Sequence, residues 1–259
     1  MKKLIISLLF ACLGIQIMAQ TPLVKKVVIK DSNGDVSSTY FFTYYNDGLI
    51  SSVECHLFLF DEVKRFTYNK ELGIIKTEND KGELGMGEIR GSFGPRMQEL
   101  YHIYGEDESN LEQYYYSGEG QVLQYTYKTR DTKEIEYYDW KDNTLVGVRS
   151  EDDYGMEKYN TFLYYSTDNP FVDCAVDPTM LVVPFLNTNF WLGFCGKRPD
   201  HLIKAYSCQS FTMDDEYDEY EFESKTNVEI EYKRDGKGRI KLILVKEDGN
   251  LSKTIEIKY

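Results

Sequence analysis

From Val24 to the C-terminus, apolar and polar residues alternate in short runs separated by turn residues. A period of two places successive side chains on opposite faces of a strand. Val27-Val-Ile-Lys30 leads into Asp31-Ser-Asn-Gly-Asp35, whose Asn-Gly pair tolerates the positive φ of a tight hairpin turn. Residues 39–45 turn at Asn46-Asp-Gly48 into 49–60, and 64–68 turn into 74–78. Ile135 and Tyr137 alternate with Glu134, Glu136 and Tyr138, and Ile255, Ile257 and Tyr259 alternate with Thr254, Glu256 and Lys258. One face of such strands is apolar and aromatic, the other charged.

The hairpins share a phrase: an aromatic residue, one further position, a tyrosine, a polar turn usually holding glycine, and Leu or Ile opening the return strand. It occurs in residues 113–127, 134–148 and 229–243. A unit of roughly 20 residues cannot bury its own face, so consecutive hairpins must stack into one meander. The count of about 14 strands is too large for a strongly twisted sheet to stay open. The fold class expected is all-β, an antiparallel hairpin meander closing into a barrel or half-barrel. The glycine-rich stretch 82–95 lacks the Lys-Ser/Thr ending of a phosphate loop and reads as a hairpin end.

Residues 168–200 depart from the alternation. Pro178-Thr-Met-Leu-Val-Val-Pro-Phe-Leu-Asn-Thr-Asn-Phe-Trp-Leu-Gly-Phe194 is an apolar block with internal prolines. Asp177-Pro178 reads as an N-cap followed by proline at the first helical position, with Met180 to Val183 as the body and Pro184 as its end. Asn187-Thr188-Asn189 is placed to cap a second turn through Leu192, terminated at Gly193. Two short helical turns, apolar all round, have no reason to face water. The expectation is an insert that plugs or caps one end of the barrel and buries Met180, Leu181, Val183, Phe185, Phe190, Trp191 and Phe194.

The N-terminus adds a compartment. Lys2 and Lys3, an apolar run over 4–13 and Ala19 before Gln20 have the layout of a secretory signal peptide, cleaved after Ala19. Cys12 gives a looser likeness to a lipoprotein box, with bulky Phe10 against it. The organisation expected is therefore a signal peptide over 1–19 and a single β domain over 20–259, exported to the periplasm or cell surface of a Gram-negative-type bacterium. The formal net charge is −13, and losing Lys2 and Lys3 makes it two units more negative. Such a chain does not suit nucleic acid or anionic membrane surfaces. Cys55, Cys174, Cys195 and Cys208 survive cleavage; in an exported chain they are candidates for disulfides, with buried thiols the alternative.

Catalytic patterns are sparse. His56, His102 and His201 lie far apart and without metal-ligand spacing, and no His-Glu-x-x-His or Gly-x-Ser-x-Gly occurs. The acidic run over 214–223 and the Asp31–Asp35 turn lack the glycine and the closing Glu of a calcium loop, so both read as solvated hairpin ends. No cofactor or metal is expected. Tyrosine is abundant, and aromatic concave surfaces bind sugars or apolar ligands.

The order of elements resembles a known group. Tyr/Phe-rich hairpins, an Asp168-Asn169-Pro170-Phe171 entry, the apolar insert, a Gly196-x-Arg198-Pro-x-His-Leu-Ile203 exit and a closing hairpin around Asp235-Gly-Lys-Gly-Arg-Ile240 are similar to a family of exported bacterial proteins. That family is a domain of unknown function with a porin-like fold. The resemblance implies fold and export, and it supplies no activity and no functional residue. The functional expectation is an exported non-catalytic binding or scaffold protein, with a glycan or small apolar ligand at the insert-capped mouth beside Phe190, Trp191, Phe194 and Tyr206. The alternatives are an outer-membrane-associated barrel and a hydrolase assembled from scattered residues. Oligomeric state is left open by the sequence.

Overall fold

The computed structural model describes residues 23–57, 61–69, 74–79, 84–89, 97–104, 108–183, 196–214 and 219–259. The signal segment, Cys12, Cys195 and the block 184–195, with Phe190, Trp191 and Phe194, lie outside the described residues.

Among these residues, sixteen antiparallel strands follow one another around a closed barrel, each paired with its neighbours in sequence. They are β1 (Lys26–Asp31), β2 (Val36–Tyr44), β3 (Ile50–Leu57), β4 (Asp61–Asn69), β5 (Ile74–Asn79), β6 (Leu84–Ile89), β7 (Met97–Tyr104) and β8 (Glu108–Tyr116). The second half holds β9 (Val122–Lys128), β10 (Lys133–Lys141), β11 (Thr144–Asp152), β12 (Met156–Asp168), β13 (His201–Asp214), β14 (Glu219–Arg234), β15 (Ile240–Glu247) and β16 (Asn250–Lys258). The barrel closes where β1 meets β16, with Val27 opposite Ile257 and Ile29 opposite Ile255. The meander is thus the closed form of the barrel, with two strands more than the alternation shows. The glycine-rich stretch contributes one of them, β6, paired with β5 and β7.

The register explains the repeated phrase. At the turn end of four hairpins a bulge shifts the pairing, so that Tyr44 faces Ile50, Tyr116 faces Val122, Trp140 faces Leu145 and Arg234 faces Ile240. A bulge inserts one extra residue and re-aims those beyond it. Here it turns the opening apolar residue of each return strand inward, and Ile50, Val122, Leu145 and Ile240 are all fully buried. The aromatic residues beside them reach back to the preceding strand. Tyr44 Oη donates to Val24 O (2.5 Å), Trp140 Nε1 to Val122 O (2.7 Å), Tyr164 Oη to Leu145 O (2.6 Å), Tyr232 Oη to Ile203 O (2.9 Å) and Tyr259 Oη to Ile240 O (2.8 Å). The phrase therefore builds an apolar ring, with aromatic struts satisfying backbone carbonyls that the bulged ladder leaves open.

All of these turns lie at one end of the barrel, and the β12–β13 insert enters at that same end. Phe171, Val176, Met180, Val182 and Val183 pack into one core with Phe42, Ile203, Val228, Ile243, Ile255 and Ile257. Ile243 has no exposed surface. Ile243→Ala is expected to cost about 2–5 kcal/mol, the usual range for emptying a close-packed site, measurable as a lower urea midpoint at unchanged m-value.

Candidate functional site

The insert is a plug held by polar ties. Its helical part is a single 3-10 turn, Pro178–Val182, capped by Asp177 as the sequence predicts. The expected second turn over 187–192 lies outside the described residues. The fully buried Asp177 carboxylate accepts from Thr179 N (2.9 Å), Thr179 Oγ1 (2.5 Å) and Asn169 Nδ2 (2.8 Å). Asn169 Oδ1 in turn accepts from Phe171 N (3.0 Å). The buried Arg198 guanidinium, on the exit limb, donates to Phe171 O (2.8 Å) and Cys174 O (2.5 Å) on the entry limb. Two further contacts tie the plug to the wall: Tyr206 Oη to Val182 O (3.1 Å) and Lys253 Nζ to Leu181 O (3.1 Å).

Gly196 completes the fit. Its φ is +73°, and a Cβ there would lie 2.4 Å from Gly120 O and 3.0 Å from the Tyr116 ring. Gly196→Ala is expected to destabilise by about 2 kcal/mol or more, since the left-handed backbone alone costs a side chain roughly 1–2 kcal/mol. A thermal melt of the variant reads the effect directly.

Tyr206 is thus a strut between wall and plug, buried and tilted against Phe162 at 5.9 Å. No disulfide joins Cys55, Cys174 and Cys208 to one another, so the two-bridge scheme open to four cysteines is not formed. The register gives the reason: Cys55 sits on β3 opposite Tyr40, Cys208 on β13 opposite Asn160, and Cys174 in the plug's entry limb, where its thiol donates to Pro170 O (3.5 Å). Burial, with Asp177 nearby, pushes the Cys174 thiol up to about 11, which keeps it protonated and unreactive.

Away from the plug the inward faces change character. In β12 the inward stripe runs Tyr164, Phe162, Asn160, Lys158, and in β13 it runs Ile203, Tyr206, Cys208, Ser210; Phe162 pairs with Tyr206, Asn160 with Cys208 and Lys158 with Ser210. The stripe continues to Thr226 and Ser224 on β14 and to Ser150 on β11. Lys158, Cys208, Ser210 and Thr226 are half-buried, and Ser224 is exposed. The plug-distal half of the barrel is therefore a polar basin that solvent enters.

Two dyads of like construction lie beyond its β11 side. On β8 Tyr114 Oη donates to Glu112, and on β10 Tyr138 Oη donates to Glu136. Tyr125 of β9 lies between them, paired with Tyr114 on one side and Glu136 on the other. Burial drives the Glu136 carboxyl up to about 8 against the lowering effect of Tyr138, and Glu134 and Glu112 raise it further. Glu136 thus holds its proton at neutral pH. Strands β12 and β16 bring Lys158 and Lys253 to the same barrel. Burial lowers the Lys253 ammonium, and Glu247 opposes that.

Asn160 is buried on the inward face of β12, between Lys158 and Phe162. It is 2% exposed, and among the described residues neither its Oδ1 nor its Nδ2 has a hydrogen-bond partner. A single asparagine within a strand carries no motif, so nothing in the sequence analysis singles it out. The available signal is the change from apolar to polar along Tyr164, Phe162, Asn160 and Lys158.

The histidines are placed elsewhere. His56 Nε2 lies 2.7 Å from Glu54 on the outer wall, and His201 Nδ1 lies 3.5 Å from Asp168 where the insert leaves β12. The His102 side chain lies outside the described residues. Among the described residues no group of three or more His, Cys, Asp or Glu could hold a metal ion, and no helix is long and apolar enough to cross a membrane.

Two solved structures share this architecture. A porin-like protein from Bacteroides uniformis superposes with a TM-score of 0.64 at 12% identity, covering 91% of this chain and 97% of its own. One from Bacteroides vulgatus gives 0.61 at 14% identity, covering 92% and 98%. The chain has their porin-like fold. No protein-family model matches the sequence, and no curated protein does.

Proposed function

We propose that this protein is an exported, non-catalytic barrel that binds a small polar molecule in the plug-distal half of its lumen. The observation that carries this reading is the change of the inward face, from a ring sealed by the plug to a basin walled by Lys158, Cys208, Ser210 and Thr226. An apolar end packed by the plug, with a polar inward face beyond it, suits a receptacle better than a channel. The apolar mouth beside Phe190, Trp191 and Phe194 is the other place for a ligand. In the described part of that end, however, the polar tips of Tyr206, Tyr164 and Tyr232 are already committed to backbone carbonyls.

The outer wall supports a barrel that stands in water. Its outward positions carry ion pairs along the strands, Lys30 with Glu256 (2.6 Å) and Lys246 with Glu231 (2.5 Å), and Arg149 stacks over the Tyr137 ring at 4.5 Å. A lysine or arginine facing lipid at the bilayer midplane costs roughly 2–4 kcal/mol, and the wall repeats such residues. Calorimetry of the purified mature protein against polar small molecules tests the reading, with a Ser210→Trp variant that fills the basin. Heat with the wild type and none with the variant supports it. Binding that the variant leaves unchanged overturns it, as does recovery of the mature protein only in detergent.

A further inference from the structure

We infer that the plug end of the barrel docks on an anionic lipid surface through an arc of basic side chains on β14, β15, β16 and β1. The register brings them to one rim: Lys26 faces Lys258 across the closing seam, and Arg234 faces Ile240 where β15 begins. Lys25 precedes β1, and the β14–β15 turn adds Lys237. Lys25, Lys233, Arg234, Lys237, Lys241 and Lys258 are all exposed. The carboxylates around them are held by other cations: Asp235 by Arg239 (2.7 Å), Glu256 by Lys30 (2.6 Å) and Glu231 by Lys246 (2.5 Å). The charge of the arc is therefore uncompensated. At the other end the turns place Asp31, Asp35, Asp152, Asp153 and Asp248, with no Lys or Arg in those three turns.

The net charge of −13 opposes docking only if a surface feels the whole molecule at once. Its potential decays over about 8 Å at physiological salt. Strand β15 is 8 residues long, which at about 3.3 Å per residue and a barrel's usual tilt separates the two rims by roughly 20 Å. A membrane beneath the plug end meets the basic arc and not the acidic rim, and the same asymmetry turns that end toward it. The rest of the plug end is mixed, Lys141 and Lys197 standing with Asp47, Glu119 and Asp142, so the barrel rests tilted onto β14, β15, β16 and β1. Apolar contact is available at the β1 side of the arc. There Phe42 N donates to Lys25 O (3.0 Å) and Tyr44 Oη to Val24 O, which brings together the ends that carry Leu23 and Tyr45, 40% and 45% exposed. Residues 1–22, with the apolar run over 4–13, join the barrel at this end as well.

The test is sedimentation of the mature protein with vesicles of phosphatidylcholine alone and of phosphatidylcholine mixed equally with phosphatidylglycerol. The protein should bind the mixed vesicles, release them as salt rises and ignore the neutral ones. Each lysine at such a surface is worth roughly a fivefold gain in affinity, so changing Lys233, Lys237, Lys241 and Lys258 together to Gln should weaken binding by at least about a hundredfold. Changing Lys128, Arg130, Lys133 and Lys225 to Gln alters net charge equally, away from the arc, and should leave binding nearly as in the wild type. If the first variant melts lower than the wild type, Lys237→Glu alone, on an exposed turn, should still weaken binding by at least about tenfold. Equal losses in the two fourfold variants, equal binding to neutral vesicles, or no vesicle binding at all overturns the proposal. Retention on dextran sulfate without vesicle binding assigns the arc to a soluble polyanion and overturns the lipid surface.

Discussion

Arg198→Met is expected to loosen the plug and lower the stability of the whole barrel by about 3–5 kcal/mol, because two or more buried carbonyls lose their donor at once. The guanidinium joins the exit limb of the insert to Phe171 O and Cys174 O of its entry limb. Without it the limbs are held by Asn169, whose Nδ2 reaches both Asp177 (2.8 Å) and Pro199 O (3.3 Å). Asp177→Ala should act through the same unit by removing the acceptor of three donors, so the double variant should cost less than the sum of the two single ones. Urea unfolding of the four proteins gives the coupling. Strict additivity would show that the ties act separately, and an Arg198→Met midpoint equal to wild type would show that the plug does not depend on them.

The second large effect is electrostatic. Glu136 ionises near pH 4.5 when unfolded and near 8 when folded, so the native state holds one more proton than the unfolded chain between those values. Stability must then fall as pH rises through that window, by up to ~4–5 kcal/mol across its whole width, because holding one extra proton costs about 1.36 kcal/mol for every tenfold drop in proton concentration. Glu136→Gln keeps an acceptor for the Tyr138 hydroxyl and cannot ionise. It should match the wild type at pH 4 and exceed it increasingly up to pH 9. Melting curves across that range decide the matter, and parallel curves for the two proteins would mean that Glu136 is not what makes the barrel alkali-sensitive.

Much of this architecture is legible in the sequence because its physics is local. Alternation in 254–259 marks the inward face at Ile255 and Ile257, and the Asp177-Pro178 pair marks the start of the helical turn that the structure contains. In 134–138 the faces are reversed, with Glu136 and Tyr138 buried inward and Ile135 and Tyr137 half-buried on the other side, because the Tyr138 hydroxyl partners the Glu136 carboxyl inside. Barrel closure follows from strand count and needs no detail of sequence. The shift of register at Tyr44/Ile50 and Trp140/Leu145 is not legible, although the repeated phrase encodes it, because a bulge is a relation between two strands. The basin is hidden for a related reason. Asn160, Cys208 and Thr226 are far apart in the chain and become neighbours only through pairing across three strands. Part of the tyrosine abundance has a structural cause that the sequence does not display: Tyr206, Tyr164 and Tyr232 spend their hydroxyls on backbone carbonyls.

The seam between β1 and β16 bears on how the molecule comes to be. Lys26 faces Lys258, so the contact that closes the barrel joins nearly the two ends of the described chain. Until the last strand arrives, the first one presents an unsatisfied edge, and an open edge recruits other chains. Every other strand pairs with a neighbour in sequence and can form as the chain emerges. Closure alone must wait for the final residues, so assembly ends on its slowest and most aggregation-exposed step. Lys26 and Lys30 on the outward side of β1, with Lys258 on β16, place positive charge along that edge during the wait, and like charge keeps two unfinished copies apart.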